Sequence, residues 1–266
     1  MPVRFAVVPQ WQGSGSARAM RLVDGAEAIR GDLPAAATTV IEVPMEAGDA
    51  EGSGIARFSS IRVVRQRYAQ QLERVTDPVL TLGGDCSVEY PGVAHAAADR
   101  RLALLWLDAH PDANSPETSP SRAFTGMVLR SIVDDGLVAP EDVLLVGARS
   151  WDPGEEAWIA ERGIRSIPVD EASPDAVRSA LGASDASGVY VHVDLDVLDP
   201  AELRGLSDPE PFGLSTSQVL DAIGAARDAL PLAGAGVCCY SPASDADVSD
   251  DMATILRIVG ALTRGA

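Results

Sequence analysis

Cysteine is scarce in this sequence, and so are long apolar runs. Of the three cysteines, Cys238 and Cys239 are neighbours, so that with Cys86 they do not make the disulfide framework of a small secreted domain. No segment approaches the roughly 20 consecutive apolar residues that span a bilayer, and the apolar run at the N-terminus is too short for a signal peptide. We therefore expect a protein of the reducing cytoplasm that does not bind a membrane.

Positive charge is also scarce, because 21 Lys and Arg face 39 Asp and Glu, for a net charge of -18. Nucleic acids and anionic membranes are bound by clustered Lys and Arg, so neither is an expected partner. An acidic chain fits a cation site built from carboxylates, although most of these acids must lie on the solvated surface. With 266 residues, no internal repeat and no linker-like segment, we expect one catalytic domain over residues 1–266.

Short apolar or β-branched runs alternate along the chain with longer amphipathic stretches. The runs predict strands at residues 4–9, 39–44, 78–82, 102–108, 142–146, 165–169, 188–195 and 234–240. The stretches predict helices at residues 61–74, 91–100, 121–133, 173–181, 215–230 and 249–262. Continuous apolar strands alternating with helices predict an α/β fold with a parallel sheet covered on both faces. Periodicity alone does not decide between an open sheet and a barrel.

Four polar motifs follow the predicted strands: GGDC at residues 83–86, DAHPD at 108–112, WDPGE at 151–155 and DLD at 194–196. Parallel sheets bind ligands beyond the carboxyl ends of their strands, so we expect these motifs to share one site. In DAHPD, the side chains of Asp108, His110 and Asp112 alternate and can therefore point to one face. Asp194 and Asp196 repeat this spacing.

These five residues form a mixed set of carboxylate and imidazole donors, which suits Mn²⁺ or a related divalent cation. So many acids in one place would repel each other, and two metal ions bridged by Asp108 and Asp194 would neutralise them. The alternative is that each motif is a polar turn after a strand. Two such clusters in one chain, each after an apolar run, favour the metal site.

The blocks GGDC-S, WLDAHPDAN and HVDLDVLDP resemble, in order and spacing, the GGDH-S, DAHxDxN and DxDxxDP blocks of the ureohydrolases, the family of arginases and agmatinases. The resemblance covers residues 80–240 and implies a three-layer αβα sandwich with a central, mostly parallel eight-stranded sheet. It also implies cleavage of a guanidino carbon–nitrogen bond with two Mn²⁺ per chain. One ion would be held by Cys86, Asp108, Asp112 and Asp194, and the other by Asp108, His110, Asp194 and Asp196.

Three positions depart from the family pattern. Cys86 stands where the family has a metal-binding His; a thiolate is also a ligand, and it shifts the preference towards softer ions. The alternative for Cys86 is a small buried thiol beside an empty half-site. Thr125 stands where arginases carry a proton-shuttling His, so protons would pass through Thr125 and water. Cys239 stands where arginases carry the Glu that pairs with the guanidinium, whereas Cys238 is expected to face the core.

The other end of the expected site keeps the arginase pattern. Asn114, Ser119 and Ser121 match the contacts to the substrate α-carboxylate, and Asp152 and Glu155 match those to the α-ammonium. The resemblance therefore implies a small-molecule substrate with an L-arginine-like head. Agmatine is disfavoured, because its missing carboxylate would leave polar groups of the site without a partner.

A site that keeps the amino-acid contacts but lacks the guanidinium-pairing Glu is expected to prefer a less basic guanidine. N-omega-hydroxy-L-arginine is such a compound, and its hydrolysis gives hydroxyurea and L-ornithine. Asp112 would accept a proton and deliver it to the leaving nitrogen, and His192 would orient a carboxylate. The alternatives are arginase or formimidoylglutamase specificity, or a catalytically silent metal-binding relative. Relatives form homo-oligomers, and the sequence leaves this chain's oligomeric state open.

Overall fold

The centre of the molecule is one sheet, seen in a computed structural model that describes residues 3–264. Within these residues the strands are β1 Arg4–Val7, β2 Thr38–Val40, β3 Val79–Leu82, β4 Leu102–Leu107, β5 Val143–Val146, β6 Arg165–Ile167, β7 Gly188–Asp194 and β8 Leu232–Cys238. Their spatial order is β2-β1-β3-β8-β7-β4-β5-β6, and each neighbouring pair is parallel. Because β2 and β6 are edges, the sheet is open, which decides the question that periodicity left undecided.

The central strands are covered on both faces, and this explains their continuous apolar sequences. All residues of β4 and of β7 are buried, so neither strand has a solvent side that would impose alternation. Strand β8 lies between β3 and β7 and has the small-residue sequence LAGAGVC. Its glycines leave room for larger neighbours, since a β-carbon at Gly234 would press on the ring of Tyr190.

Helices form the two outer layers. Within the described residues they are α1 Arg21–Gly31, α2 Phe58–Leu72, α3 Glu89–Ala97, α4 Val128–Asp134, α5 Pro153–Arg162, α6 Pro174–Gly182, α7 Thr216–Ala229 and α8 Asp245–Thr263. Apolar residues of α1, α6, α7 and α8 pack on the face of the sheet that carries Leu105 and Val191. Those of α2 to α5 pack on the face that carries Leu104 and Trp106. The predicted αβα sandwich is therefore confirmed.

The helices differ from the prediction in three places. The helix expected over residues 121–133 is wrong in its first half, because α4 begins only at Val128. Before it, Arg122 has a left-handed backbone with φ 56°, and a short 3-10 helix spans Phe124–Met127. The sequence patterns also do not predict α1 or α5. No helix within residues 3–264 is long and apolar enough to cross a membrane.

The strand order places the polar motifs together. Strands β3, β8, β7, β4 and β5 lie side by side, and since they are parallel, their carboxyl ends share one edge. The segments that follow them begin at residues 83, 239, 195, 108 and 147. A pocket at this edge is therefore lined by residues that are far apart in sequence.

Candidate metal centre and substrate pocket

A cavity of about 320 Å³ opens at the carboxyl edge of the sheet. Most of the predicted site residues line it: Cys86, His110, Asp112, Asn114, Ser119, Ser121, Thr125, Asp152, Glu155, Asp194, Asp196 and Cys239. The other two, Asp108 and His192, are buried behind its wall. Five further residues that the motifs do not indicate complete the lining: Gly15, Ser16, Ala123, Gly126 and Asp208.

One group of metal-binding side chains consists of Asp108, His110 and Asp196, whose donor atoms lie within 4.8 Å of one another. His110 Nδ1 is 3.0 Å from Asp196 Oδ2 and 3.6 Å from Asp108 Oδ1. Backbone N–H groups orient both carboxylates: that of His110 donates to Asp108 Oδ1, and that of Ala109 to Asp196 Oδ1. Although burial favours neutral imidazole, the two carboxylates raise the pKa of His110 far above its usual value.

A second group lies on the other side of Asp108 and includes Cys86 and Asp112, with His192 behind them. Cys86 also belongs to a third group, with Asp194 and Cys239: its thiol donates to Asp194 Oδ2 at 2.9 Å and lies 3.5 Å from Cys239 Sγ. Asp108 thus belongs both to the group of His110 and Asp196 and to the group of Cys86 and Asp112.

Asp194 was expected to serve both ions, but it groups with the two cysteines and not with His110. Its Oδ1 accepts the N–H of Asp196 at 2.8 Å, and its Oδ2 faces the Cys86 thiol. These two contacts turn the carboxylate towards the sulfur side of the pocket. In this structure Asp194 thus lies on the side of the two cysteines, and its sharing between two ions stays a prediction.

The buried carboxylates of this cluster raise each other's pKa. Burial, together with the neighbouring carboxylates of Asp108 and Asp194, raises the pKa of Asp112 well above its usual value. Burial and Asp108 likewise raise the pKa of Asp194 to about 6. Asp112 Oδ2 is buried and has no hydrogen-bond partner among residues 3–264. Mixed oxygen, nitrogen and sulfur donors around a partnerless carboxylate oxygen fit divalent metal ions.

The Cys86 thiol fits such a centre only if it loses its proton. Burial, the neighbouring Cys239 and the charge of Asp194 raise the pKa of this thiol well above its usual value. A metal ion stabilises the thiolate and replaces that proton. Cys86 is therefore a neutral hydrogen-bond donor to Asp194 in this structure and a candidate anionic ligand when a cation is present.

Two residues of the cluster have unusual backbone conformations. Asp112 and Cys239 have φ values of 52° and 68°, in the left-handed region that non-glycine residues rarely adopt. The surrounding backbone holds both in place, since the carbonyl of Asp112 accepts the N–H of Leu129 and the N–H of Cys239 donates to the carbonyl of Gly84. Such strain is typical of functional sites, where it aims a side chain at a ligand.

The wall opposite the thiols carries Asn114, Asp152 and Glu155. Asn114 Nδ2 donates to Asp152 Oδ2 at 2.9 Å. Asp152 is also the N-cap of α5 and forms a capping box with Glu155, which accepts the Asp152 N–H at 3.0 Å and the N–H of Ala113 at 2.9 Å. These acids therefore start a helix as well as line the pocket, a role that the motif alone did not indicate.

The rim is a loop that includes Ser119 and Ser121. Their hydroxyls accept the N–H groups of Arg122 and Ala123, respectively, and lie 3.4 Å from each other. These local bonds compete with helix formation and explain why α4 starts later than predicted. Thr125, further along the loop, accepts the N–H of Cys86 at 3.1 Å, so its own hydroxyl hydrogen is free to point into the pocket.

His192 lies behind Asp108, with its Nε2 3.6 Å from Asp108 Oδ2. Burial lowers the pKa of this imidazole, but the carboxylates of Asp108 and Glu89 outweigh it and raise the pKa to about 9. Glu89 and Trp106, whose indole N–H donates to Asp108 Oδ2, were not among the predicted site residues. Trp106 precedes Asp108 by two positions in β4, and this spacing could have indicated its contact.

Comparison of the sequence with known proteins gives one consistent result. A model of the arginase family matches residues 21–262. The chain is 31% identical to the arginase of Bacillus caldovelox over 192 residues, 64% of this chain and 63% of that protein. It is 28% identical to an arginase of Staphylococcus aureus over 199 residues, 66% of each chain. The aligned part thus spans less than two thirds of the length of these curated relatives.

Comparison with solved structures extends over the whole chain. The structure of Bacillus caldovelox arginase matches with a TM-score of 0.86 at 25% identity, covering 100% of this chain and 99% of that one. The structure of Entamoeba histolytica arginase in complex with L-ornithine matches with a TM-score of 0.86 at 21% identity, covering 98% of each chain. The second match, at this low identity, establishes the shared fold alone.

Proposed function

The chain belongs to the arginase family, and from this premise we propose that it hydrolyses a carbon–nitrogen bond of a guanidino compound with the help of two divalent metal ions. The observation that carries the proposal is the cluster around Asp108, where donor groups from separate strand ends meet in one cavity. Several buried carboxylates that repel each other are costly for the fold, so a relative without a metal centre would not be expected to retain them. An active metal centre gives these acids their counter-charge.

We propose that two Mn²⁺ ions are held by the residues that the sequence indicates: Cys86, Asp108, Asp112 and Asp194 on one side, and His110 and Asp196 with the shared carboxylates on the other. When bound, such ions lower the pKa of water and polarise the group under attack. The thiols of Cys86 and Cys239 on one side favour a softer ion there than an all-oxygen site would.

Proton transfer is assigned to Asp112. Its carboxylate lines the pocket and has one oxygen without a hydrogen-bond partner in the described part of the chain, so it can take a proton from water and pass it to the departing δ-nitrogen. Thr125, whose hydroxyl hydrogen is free to face the pocket, offers a route to solvent through water. The reaction consumes one water and breaks one carbon–nitrogen bond.

We propose an α-amino acid substrate because the pocket wall with Asn114, Asp152 and Glu155 offers groups that complement an α-ammonium and an α-carboxylate. Asp152 and Glu155 are acceptors for an α-ammonium, and the amide of Asn114 with the hydroxyls of Ser119 and Ser121 faces an α-carboxylate. A decarboxylated substrate would make no use of these groups, because it lacks the carboxylate that they face.

The reacting end of the substrate is proposed to be a hydroxyguanidine. The thiol of Cys239 cannot pair with a fully charged guanidinium as a carboxylate would, and an electronegative hydroxyl on nitrogen makes the guanidine less basic. N-omega-hydroxy-L-arginine would then give L-ornithine and hydroxyurea. The Cys of the GGDC block, with Thr125 and Cys239, resembles the N-omega-hydroxy-L-arginine amidinohydrolase of D-cycloserine biosynthesis, and we propose the same specificity here. L-arginine, the substrate in the names of the matched relatives, is the second candidate.

The test compares both substrates on one protein preparation. Purified protein loaded with Mn²⁺ is incubated with N-omega-hydroxy-L-arginine, L-arginine or agmatine, and ornithine, hydroxyurea, urea and putrescine are quantified. We expect kcat/KM for the hydroxylated substrate to exceed that for arginine by about tenfold or more, a difference of about 1.4 kcal/mol in transition-state binding. An Asp196→Asn variant purified in the same way measures any contaminating arginase.

Faster turnover of arginine would contradict the proposed substrate and leave the reaction class intact. No turnover of any guanidino compound by protein that holds two ions would contradict enzymatic function and support a silent relative.

A further inference from the structure

A second carboxylate lies buried behind the metal centre. Glu89, the first residue of α3, is fully buried and follows Cys86 by three positions. Its Oε2 accepts the hydroxyl of Tyr190 at 2.6 Å, and its Oε1 accepts the thiol of Cys238 at 3.0 Å. Neither donor carries a positive charge. A buried carboxylate held only by neutral donors is costly for the fold.

The imidazole of His192 lies close to this carboxylate. Its Nδ1 lies 3.8 Å from Glu89 Oε2, and its Nε2 lies 3.6 Å from Asp108 Oδ2. The ring is fully buried, and neither nitrogen has a hydrogen-bond partner among residues 3–264, so both carboxylates face it at ion-pair distance and not at hydrogen-bonding distance. The imidazole thus lies between two carboxylates, one of which belongs to the metal cluster.

The indole of Trp106 fixes the orientation of this ring. It stacks on His192 with a distance of 3.6 Å between ring centroids and an angle of 23° between the planes. The same indole donates its N–H to Asp108 Oδ2 at 3.1 Å. Asp108 Oδ2 is therefore approached by both rings of one stacked pair, while Oδ1 accepts the N–H of His110.

The sheet leaves space for this arrangement. A β-carbon at Gly236, in the middle of β8, would collide with the Glu89 carboxylate. In the neighbouring strand, His192 is the register partner of Gly236. The glycine thus leaves space for the Glu89 carboxylate to lie against β8 beside the imidazole.

We propose that Glu89 and His192 are positioning residues that orient Asp108, the carboxylate common to both sides of the metal centre. The inference rests on the proposed metal centre. Glu89 positions the imidazole of His192. This imidazole and the Trp106 N–H in turn position Asp108 Oδ2, so the Asp108 carboxylate is oriented before a cation binds. Partners that hold a ligand in this way contribute about 10- to 100-fold to metal affinity. Because Asp108 is shared, loss of the pair should weaken the binding of both ions.

The test measures Mn²⁺ binding instead of catalysis. Metal-free protein is titrated with Mn²⁺, and free Mn²⁺ is followed by electron paramagnetic resonance for the wild type, Glu89→Gln, His192→Asn and the double variant. We expect each single variant to raise the dissociation constant by about tenfold. The dissociation constant of the double variant should rise by clearly less than the product of the two single effects, because Glu89 acts on Asp108 through His192.

Asp142→Asn is the matched control. Asp142 is another fully buried carboxylate, and it accepts Arg101 Nε and Ser184 Oγ at 2.6 Å each. It immediately precedes β5, at the end of the sheet opposite the pocket. Its substitution should lower the free energy of unfolding and leave Mn²⁺ affinity unchanged, which separates a general loss of stability from misplacement of Asp108.

Single variants that bind both ions as tightly as the wild type would overturn the inference while leaving the proposed function in place. So would a multiplicative effect in the double variant, since it indicates independent roles. Wild-type protein that binds no Mn²⁺ would instead contradict the proposed function itself. Should His192→Asn fail to fold, Glu89→Gln decides alone, because it preserves side-chain volume.

Discussion

The two ends of the pocket are built in opposite ways. At the mouth, Asn114, Asp152 and Glu155 are joined to each other and to backbone N–H groups by hydrogen bonds of 2.9–3.0 Å. At the deep end, Asp112 has a buried oxygen without a partner, and its pKa is raised by burial and by neighbouring carboxylates. The polar groups of the mouth are paired with each other, whereas the deep end brings together carboxylates that raise each other's pKa.

This difference separates stability from function in the two regions. Side chains of the mouth stabilise the fold and line the pocket at the same time, as Asp152 does by capping α5. Acids of the deep end destabilise the metal-free fold, because each is charged only at the expense of its neighbours. Substitutions at the two ends should therefore change the stability of the metal-free protein in opposite directions.

The largest effect is expected for Asp112→Asn. Loss of the proposed acid and base should lower kcat by about 10²–10⁴-fold. In the presence of a chelator, the same variant should be more stable than the wild type at neutral pH, since the cost of holding a buried carboxyl with a raised pKa disappears and Asn tolerates the left-handed backbone at this position. Urea unfolding of both metal-free proteins measures the change.

Asp152→Ala is the matched variant at the mouth. It removes the N-cap of α5 and should lower the free energy of unfolding by about 1 kcal/mol in the same experiment. Destabilisation by Asp112→Asn, or no loss with Asp152→Ala, would mean that the two ends are not built in opposite ways.

A smaller effect is expected for Asn114→Ala. This variant leaves the deep end intact and removes a proposed contact of the α-carboxylate, so KM should rise about tenfold while kcat and Mn²⁺ content change little. Steady-state kinetics together with metal analysis test this split. A loss of bound Mn²⁺ would show that the mouth and the deep end are coupled.

The smallest effect is expected for Cys86→His, which exchanges one donor of the deep end for another. The variant should keep two ions and change the ratio of hydroxyarginine to arginine turnover by about fivefold, or about 1 kcal/mol in the barrier. The contacts of the protein with the α-amino and α-carboxylate groups of the substrate should not change, and their effect on KM should therefore stay the same. An unchanged ratio, determined by competition between the two substrates, would refute a role of the thiol in substrate choice.

The strands could be predicted because their physical signal is local. The continuous apolar runs of β4 and β7 reflect burial on both faces, and this is written in adjacent residues. The order of the strands is not local, so periodicity could not distinguish an open sheet from a barrel. Helix α1 also escaped prediction; its N-cap, Met20, has no side-chain capping bond, so the usual start signal is missing.

In the site, alternating acids after strands and the family motifs predicted the residues that line the cavity. They did not predict which oxygen faces which neighbour, as the turn of Asp194 towards Cys86 illustrates. Glu89 was missed for a related reason. In sequence it is one acid in an ordinary helix, and only the three-dimensional packing of α3 against β7 and β8 brings it to His192.

The place of β8 in the sheet has a consequence for biosynthesis. This strand is the last of the eight described strands in sequence, yet it lies between β3 and β7 and joins the group β2-β1-β3 to the group β7-β4-β5-β6. A nascent chain that has left the ribosome only as far as residue 231 therefore carries two unpaired central edges. Open edges of this kind recruit chaperones or other chains. Both the sheet and the pocket are completed only by the segment that begins with β8, after the other seven described strands have been translated.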